Sequence, residues 1–147
     1  MAEDRVAEFH RLHRAGCFVM PNPWDIGTAR LLEGLGFPAL ATTSAGLAWS
    51  LGLPDAHVTR DQTLEHLRLI AGAVSVPVNA DFKDGYAADP AGVAANVKLA
   101  AETGIAGLSI EDSSGDEADP LFDFGLAVER VAAASFTFAA TPAGSAA

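Results

Sequence analysis

Cysteine and cationic residues are scarce in this sequence. Cys17 is the only cysteine, so an intrachain disulfide is excluded and an oxidising compartment is not implied. Nine lysines and arginines oppose nineteen aspartates and glutamates, which gives a formal net charge of -10. Because binding to phosphates or anionic lipids needs clustered cations, we expect no nucleic-acid partner and no membrane partner.

Long apolar runs and nucleotide-binding motifs are also missing. No stretch approaches the roughly 18 apolar residues of a membrane-spanning helix. The N-terminus is charged from its third residue and has no apolar signal-peptide core. These features predict a cytoplasmic protein. No Gly-x-Gly-x-x-Gly or Walker pattern follows a predicted strand, which disfavours a nucleotide-binding function.

Apolar strand-like runs alternate with helix-like periodicity through most of the chain. The predicted strands cover residues 17–20, 38–44, 76–81 and 106–110. The predicted helices cover about 3–14, 22–34, 60–73, 89–103 and 121–134. Nearly continuous apolar strands that alternate with helices are typical of a parallel sheet with helical crossovers. The sequence therefore predicts an α/β fold of about four βα units after an N-terminal helix.

Local capping chemistry predicts where several helices begin. Asn22 followed by Pro23 has the pattern of an N-cap and a first helical residue. Asp89 with the proline after it repeats that pattern. Thr59 and Gln62 have the spacing of a capping box. We therefore expect helices that start on their own local signals.

The C-terminal segment departs from the βα rhythm. Residues 135–147 contain no charged side chain and show no clear helical amphipathicity. We predict one structured region over 1–134 and a disordered or aberrant tail over 135–147, because terminal segments without packing signals are commonly unordered.

Polar side chains cluster where the predicted strands end. Asn79 and Asp81 are two residues apart and therefore face the same side of their strand. Glu111 ends the neighbouring strand at the same edge. Carboxylate oxygens brought together in this way suit Mg²⁺, which proteins hold through one or two carboxylates and water. The turn over 44–47 offers backbone N–H groups to an anion.

A simpler interpretation applies to some of these carboxylates. Aspartate before a helix is commonly an N-cap, and this explanation serves equally well for Asp25, Asp84 and Asp112 taken singly. Cys17 lies at the start of a predicted buried strand, which indicates an unreactive thiol.

Four segments together resemble the isocitrate lyase/phosphoenolpyruvate mutase superfamily. They are MPNPWDIGTAR (20–30), TSAGL (43–47), NADFKDGY (79–86) and LSIED (108–112). Their order and spacing cover nearly the whole chain to about residue 134. The resemblance implies a (β/α)8 barrel that uses Mg²⁺ to stabilise an enolate of a small 2-oxo, 2-hydroxy or phosphono carboxylic acid. Cleavage or transfer would take place at a C–C or P–C bond.

The resemblance also implies a metal set. Asp81 matches an aspartate of the family's metal-binding Asp-x-Asp pattern and is expected to be catalytic as well. Glu111 matches the glutamate that holds the metal through water. Asn79 stands where the family has the first aspartate of the pattern, and Asp84 is expected to supply the charge that Asn79 lacks.

The same resemblance assigns substrate contacts. Gly46 and Leu47 match the backbone that binds substrate carboxylate or phosphonate oxygens, with Ser44 beside them. Asp55 resembles an acidic catalytic residue that enters from the second connection. The expected ligand is a small carboxylate.

Three departures from the family pattern bear on the reaction. Lys83 and Asp84 look like an insertion before Gly85 and Tyr86. The Lys-x-Cys-Gly-His segment of the lyases is not found, which disfavours isocitrate or methylisocitrate cleavage. The segment after Asp112 has no lysine typical of mutase gating loops.

Length leaves two alternatives open. A complete barrel of this kind needs about 200–250 residues, and the 147 residues supply about half. One alternative is a catalytically inactive half-barrel that associates with itself, as a homo-oligomer, or with a complementing chain, since open sheet edges favour association. The other is a flavodoxin-like binding module with the same βα rhythm, distinguished by strand order.

Overall fold

Three parallel strands form the centre of the molecule. The computed structural model describes residues 2–141, with side chains described from residue 5 onwards. The strands are β1 (Leu40–Ala41), β2 (Val78–Asp81) and β3 (Gly107–Ser109), hydrogen-bonded in the order β1-β2-β3. The helices are α1 (Ala2–Leu12), α2 (Ile26–Gly34), α3 (Ser44–Ser50), α4 (Arg60–Ala73), α5 (Pro90–Ala101) and α6 (Phe124–Ala140), with a 3-10 turn at Asp55–His57.

The strand register aligns the carboxyl ends of β2 and β3. Asn79 pairs with Gly107 and Asp81 with Ser109. Residues alternate between faces along β2, so that Val78 and Ala80 are buried while Asn79 and Asp81 are half-buried. The prediction that Asn79 and Asp81 share one side of their strand is confirmed. Residues that follow the strands therefore gather at one edge of the sheet.

The main core lies between the sheet and the helices that cross over it. α4 and α5 contribute the apolar faces that cover the sheet, and β2 contributes Val78, Ala80 and the residue after it, Phe82. These side chains are buried, and Phe82 is fully buried. Within residues 5–141, the other face is covered only near its amino-terminal edge, where Phe9 of α1 packs against Ala39 and Ala106. The polar face of β2 is thus left open at its carboxyl end.

Two of the predicted helix starts are confirmed. Thr59 and Gln62 form a reciprocal capping box at the start of α4. The Asp89 side chain accepts from the Gly92 N–H, and Pro90 is the first residue of α5. The predicted start at Asn22 and Pro23 is wrong. α2 begins at Ile26 with Asp25 as its N-cap, because Asp25 and Thr28 form a second capping box.

The predicted first strand is not found. Residues 17–20 form no strand, and the segment lies beside β1 through one hydrogen bond from the Ala41 N–H to Pro21 O, at 3.1 Å. Cys17, expected to be buried, is exposed. The second strand is shorter than predicted, because Thr43 caps a helix that begins at Ser44. A capping hydroxyl there ends the strand and turns the predicted 44–47 turn into helix.

The C-terminal helix passes the predicted boundary at residue 134. α6 continues to Ala140, so residues 135–140, assigned by sequence to an unordered tail, are helical. Ala134 is buried and Phe138 packs against the main core, which explains why the helix persists through a segment without charge. Residues 142–147 of the predicted tail lie outside the described residues.

An apolar groove lies between α6, α1 and β3. Its volume is about 1200 Å³, and its lining includes Val131, Phe138, Leu108 and Ile110. On α6, Phe124 and Phe136 are also largely exposed. The expected association of copies stays a prediction. No helix among the described residues is long and apolar enough to cross a membrane.

A buried histidine gives the fold a pH dependence. His66 of α4 is buried, and its Nε2 has no hydrogen-bond partner. Burial lowers the pKa of His66, an effect that the nearby Asp25 charge partly offsets. The unfolded chain, with a histidine pKa of about 6.5, then binds protons more readily than the folded one, so stability is lost as the pH falls below that value.

We therefore expect the free energy of unfolding to decrease between pH 7.5 and pH 5.5, with His66 contributing at most about 1.4 kcal/mol per pH unit. Urea unfolding at a series of pH values measures this slope. His66→Gln should flatten it, whereas His57→Gln, at an exposed position, should leave it unchanged. Equal slopes for wild type and His66→Gln would contradict the assignment.

Candidate active site

The Asp81 carboxylate is held from two sides at the end of β2. The Ser44 N–H donates to Asp81 Oδ2 at 2.8 Å, and the Lys83 N–H donates to Asp81 Oδ1 at 3.2 Å. The Asp81 N–H itself donates to Thr42 Oγ1 at 3.0 Å. A carboxylate has about four lone-pair positions, so two remain after these bonds. Asp81 is therefore fixed in orientation and still able to bind a cation.

Lys83 connects the other predicted acidic residues. Its Nζ donates to the backbone oxygen of Asp55 at 2.9 Å and lies 3.3 Å from Asp55 Oδ1. Its carbonyl accepts from the Glu111 N–H at 2.7 Å. The sequence assigned no role to Lys83. The only signal was its place in an apparent insertion inside the segment 79–86, which resembles the superfamily.

Glu111 lies in a region of concentrated negative charge. Partial burial raises the pKa of Glu111, the Asp81 carboxylate raises it further, and the Lys83 ammonium opposes both. Asp55 and Asp84 add smaller effects in the same direction as Asp81. The backbone of Lys83 bonds both to the Asp81 carboxylate and to the Glu111 N–H, so the two residues lie at the same edge of the sheet, where this crowding of like charge favours a bound cation.

Asp84 is engaged within its own loop. Its Oδ1 accepts from the Tyr86 N–H at 2.9 Å, and its backbone oxygen accepts from Arg130. Throughout the part of the chain that the structure describes, no three histidine, cysteine, aspartate or glutamate side chains converge into a metal cluster. The predicted set of Asp81, Glu111 and Asp84 is therefore not gathered as one cage.

Ser44, Gly46 and Leu47 lie in the first turn of α3, at the same edge as Asp81. Their backbone N–H groups already have acceptors: Ser44 donates to Asp81, Gly46 to Thr43 Oγ1 at 3.3 Å, and Leu47 to Thr43 O at 3.0 Å. The hydroxyl of Ser44 makes no hydrogen bond among the described residues. Of the three predicted substrate contacts, the Ser44 hydroxyl is the group left free to meet a ligand.

The loop over 83–88 is held in an unusual backbone conformation. Lys83 and Tyr86 have φ of 51° and 56°, a left-handed conformation that costs a non-glycine residue about 1–2 kcal/mol. Asn96 of α5 donates to the carbonyls of Gly85 and Tyr86, at 2.9 and 3.2 Å. Fully buried Arg130 of α6 donates to the carbonyls of Asp84, Ala87 and Ala88. Two helices thus hold the segment that carries Lys83.

Tyr86 closes the inner side of this loop. Its hydroxyl lies 2.6 Å from Thr63 Oγ1 of α4, and its ring packs edge-on against Phe82. Burial raises the pKa of Tyr86 to about 12. The hydroxyl therefore stays protonated at neutral pH, and Tyr86 anchors the loop to α4.

Parallel strands with carboxylates at their carboxyl edge define a class of α/β proteins that place their chemistry in the βα loops. A family model described as phosphoenolpyruvate phosphomutase matches residues 9–143. The chain belongs to this family, which confirms the resemblance to the isocitrate lyase/phosphoenolpyruvate mutase superfamily.

Three relatives illustrate the match. An uncharacterized protein of Mycobacterium tuberculosis is 39% identical over 127 residues, covering 85% of this chain and 46% of its own. An inferred lyase/mutase from Burkholderia cenocepacia is 44% identical with a TM-score of 0.93, covering 97% of this chain and 51% of its own. A 2,3-dimethylmalate lyase of the superfamily is 29% identical with a TM-score of 0.79, covering 92% and 48%.

The chain spans about half the length of these relatives. Together with the parallel sheet, this confirms the predicted partial (β/α)8 barrel, although three strands rather than four are formed among the described residues.

Proposed function

We propose that this chain carries the metal-binding half of the site of a Mg²⁺-dependent lyase or mutase. The substrate would be a small 2-oxo, 2-hydroxy or phosphono carboxylic acid, cleaved or transferred at a C–C or P–C bond. The observation that carries the proposal is the fixed Asp81 carboxylate beside Glu111. Family membership and the solved lyase and lyase/mutase neighbours support the reaction class.

The oxygen ligands present fit Mg²⁺ better than a metal that needs a closed protein cage. The carboxylates of Asp81 and Glu111 lie in a region of concentrated negative charge, to which Asp55 and Asp84 also contribute. Mg²⁺ is commonly held by one or two carboxylates, with water and substrate completing its coordination. We therefore place the ion on Asp81, with Glu111 contacting it through water. Asp84 is left out of this set because it caps its own loop.

The protein residues prepare the site in distinct ways. Ser44 and Lys83 orient the Asp81 carboxylate through their N–H groups. The Ser44 hydroxyl and the half-exposed Asp55 carboxylate lie at the same edge and are the groups proposed to meet the substrate. Bound Mg²⁺ would supply Lewis-acid stabilisation of the negative charge that develops on the substrate oxygens.

Asp81→Asn tests the metal assignment while keeping the shape of the side chain. Oxalate, a small dicarboxylate that resembles enolpyruvate, serves as the probe. We expect wild type to bind oxalate only with Mg²⁺ present. Asp81→Asn should weaken this binding by more than about tenfold, because it removes the negative charge of the side chain proposed to bind Mg²⁺ directly. Isothermal titration calorimetry with and without EDTA measures both affinities.

Glu65→Ala is the control, because Glu65 is an exposed carboxylate on α4 whose side chain pairs with Arg68 of the same helix and with no residue of the site. It should bind oxalate as wild type does. Thermal unfolding of each variant verifies that the fold is retained. Oxalate binding that survives in Asp81→Asn, or that is independent of Mg²⁺ in wild type, would refute the metal assignment.

A further inference from the structure

Lys83 contacts three of the predicted site residues through three different groups. Its backbone N–H donates to Asp81 and its carbonyl accepts from the Glu111 N–H. Its ammonium binds Asp55. The Lys83 side chain is only 19% exposed, so its ammonium charge is held among the acidic side chains at the carboxyl ends of the strands rather than in bulk solvent. No other residue in the described part of the chain is hydrogen-bonded to all three of these acids.

The charge of this site sets a requirement for any anionic substrate. Asp55, Asp81 and Glu111 repel a small dicarboxylate, and the whole chain carries a net charge of -10. The other ion-paired cations among the described residues, Arg11, Arg60 and Arg68, pair with acids of their own helices. Lys98, the only other lysine of the sequence, lies exposed on α5. Among the ion pairs of the described residues, that of Lys83 is the one that joins a cation to a residue of the proposed site, and this places Lys83 to meet the substrate.

We propose that Lys83 binds a carboxylate or phosphonate oxygen of the substrate directly, as a substrate-binding residue of the proposed lyase or mutase. This inference rests on the proposed function above. An ammonium has three N–H donors, and Asp55 accepts from two of them. The third is available to a ligand, and a charge-assisted bond of this kind is among the stronger hydrogen bonds in proteins.

The backbone of Lys83 agrees with such a role. Its φ of 51° lies in the left-handed region, where a long unbranched side chain gains nothing and glycine or asparagine would be less strained. Strained backbone held in place by neighbouring elements is found mainly at functional sites. Here Asn96 and Arg130 supply that hold, since both donate to carbonyls of the same loop. The structure thus maintains a lysine at a position whose backbone conformation is unfavourable for it.

Lys83→Met tests the inference because methionine has a similar length and the same backbone strain without the charge. We expect it to raise the Kd for oxalate in saturating Mg²⁺ by at least about tenfold. Binding of Mg²⁺ alone should be unchanged or tighter, since a repelling cation has been removed. Lys83→Arg should recover part of the oxalate affinity, and Lys98→Met should match wild type.

A second measurement needs no substitution. With only two lysines in the chain, acylation of each can be followed by mass spectrometry of peptides. Oxalate with Mg²⁺ should slow modification of Lys83 and leave Lys98 unaffected.

The outcomes separate this inference from the proposed function. If wild type binds oxalate with Mg²⁺ and Lys83→Met binds it equally well, direct contact by Lys83 is refuted while the metal site stands. If Lys83→Met loses Mg²⁺ and oxalate together, the residue acts by holding the loop, and direct contact is again refuted. If wild type shows no Mg²⁺-dependent oxalate binding and no protection of Lys83, both proposals fail.

Discussion

Replacing Phe82 with alanine is expected to lower the free energy of unfolding by about 3–5 kcal/mol. Phe82 is fully buried in the main core and packs edge-on against Tyr86, with ring centroids 5.2 Å apart. Removal of the ring leaves a cavity beneath the loop that carries Lys83, and the Tyr86 ring of that loop loses the side chain it packs against. The cost is a large part of the 5–15 kcal/mol that typically stabilises a domain.

Urea unfolding at pH 7.5 measures this loss. Phe82→Leu, which keeps most of the apolar volume, should cost less than about 1.5 kcal/mol. Leu69→Ala, at an exposed position of α4, should stay within about 0.5 kcal/mol of wild type. A loss below about 1 kcal/mol for Phe82→Ala would mean that the loop collapses into the cavity, contrary to a rigid site.

Gly46→Ala is expected to lower the free energy of unfolding by about 1–3 kcal/mol through overpacking. A Cβ at this position would lie 2.5 Å from Trp24 Cδ1 and 2.5 Å from Thr43 Cγ2. Real side-chain carbons do not approach so closely, so Trp24 must leave its place or the Thr43 cap must rotate. Trp24 also packs edge-on against Trp49, at 5.5 Å between centroids. Tryptophan fluorescence should therefore change together with stability.

The control for this substitution is Gly72→Ala in α4. A Cβ there meets nothing within 4 Å, and alanine favours helix over glycine by about 0.5–1 kcal/mol. Gly72→Ala should therefore match or exceed wild type in urea unfolding. Equal stability of Gly46→Ala and wild type would show that Trp24 is loosely held. Gly46 would then be better explained by an approaching ligand than by packing.

The sequence indicated Gly46 for a different reason from the one that the structure gives. By resemblance, its N–H was expected to bind a substrate oxygen, yet that N–H donates to Thr43 Oγ1 inside α3. Glycine is required at this position because the ring of Trp24, which belongs to a separate segment, leaves no room for a Cβ. A steric constraint between residues 22 positions apart leaves no periodic or local signature, so it could not be predicted from the sequence.

Asp84 shows the same limit for charge. Asp84 lies close to Asp81 in sequence, which suggested that it is a metal ligand. Its side chain instead accepts a hydrogen bond from the Tyr86 N–H in the turn that follows. Whether an aspartate caps its own loop or reaches a metal depends on a few backbone angles, here the positive φ of Lys83 and Tyr86. Helices α5 and α6 maintain those angles through Asn96 and Arg130. Such remote support is not encoded near the loop itself.

Local signals determined much of this protein by themselves. The capping box of Thr59 and Gln62 and the Asp89-Pro90 start each involve residues at most three positions apart, so helices α4 and α5 follow from short-range chemistry. Strand alternation likewise placed Asn79 and Asp81 on one face, and the order of motifs indicated the family.

Only the tertiary structure decided which groups meet at the edge of the sheet. Ser44 reaches Asp81, and Lys83 reaches both Asp55 and Glu111, across 28 to 37 residues of chain. These pairs exist because the parallel register aligns the ends of β2 and β3 and because α3 begins at Ser44 instead of continuing as strand. Register and packing are collective properties of the folded chain. Because of them Lys83, which the sequence showed only as part of an apparent insertion, contacts Asp55, Asp81 and Glu111.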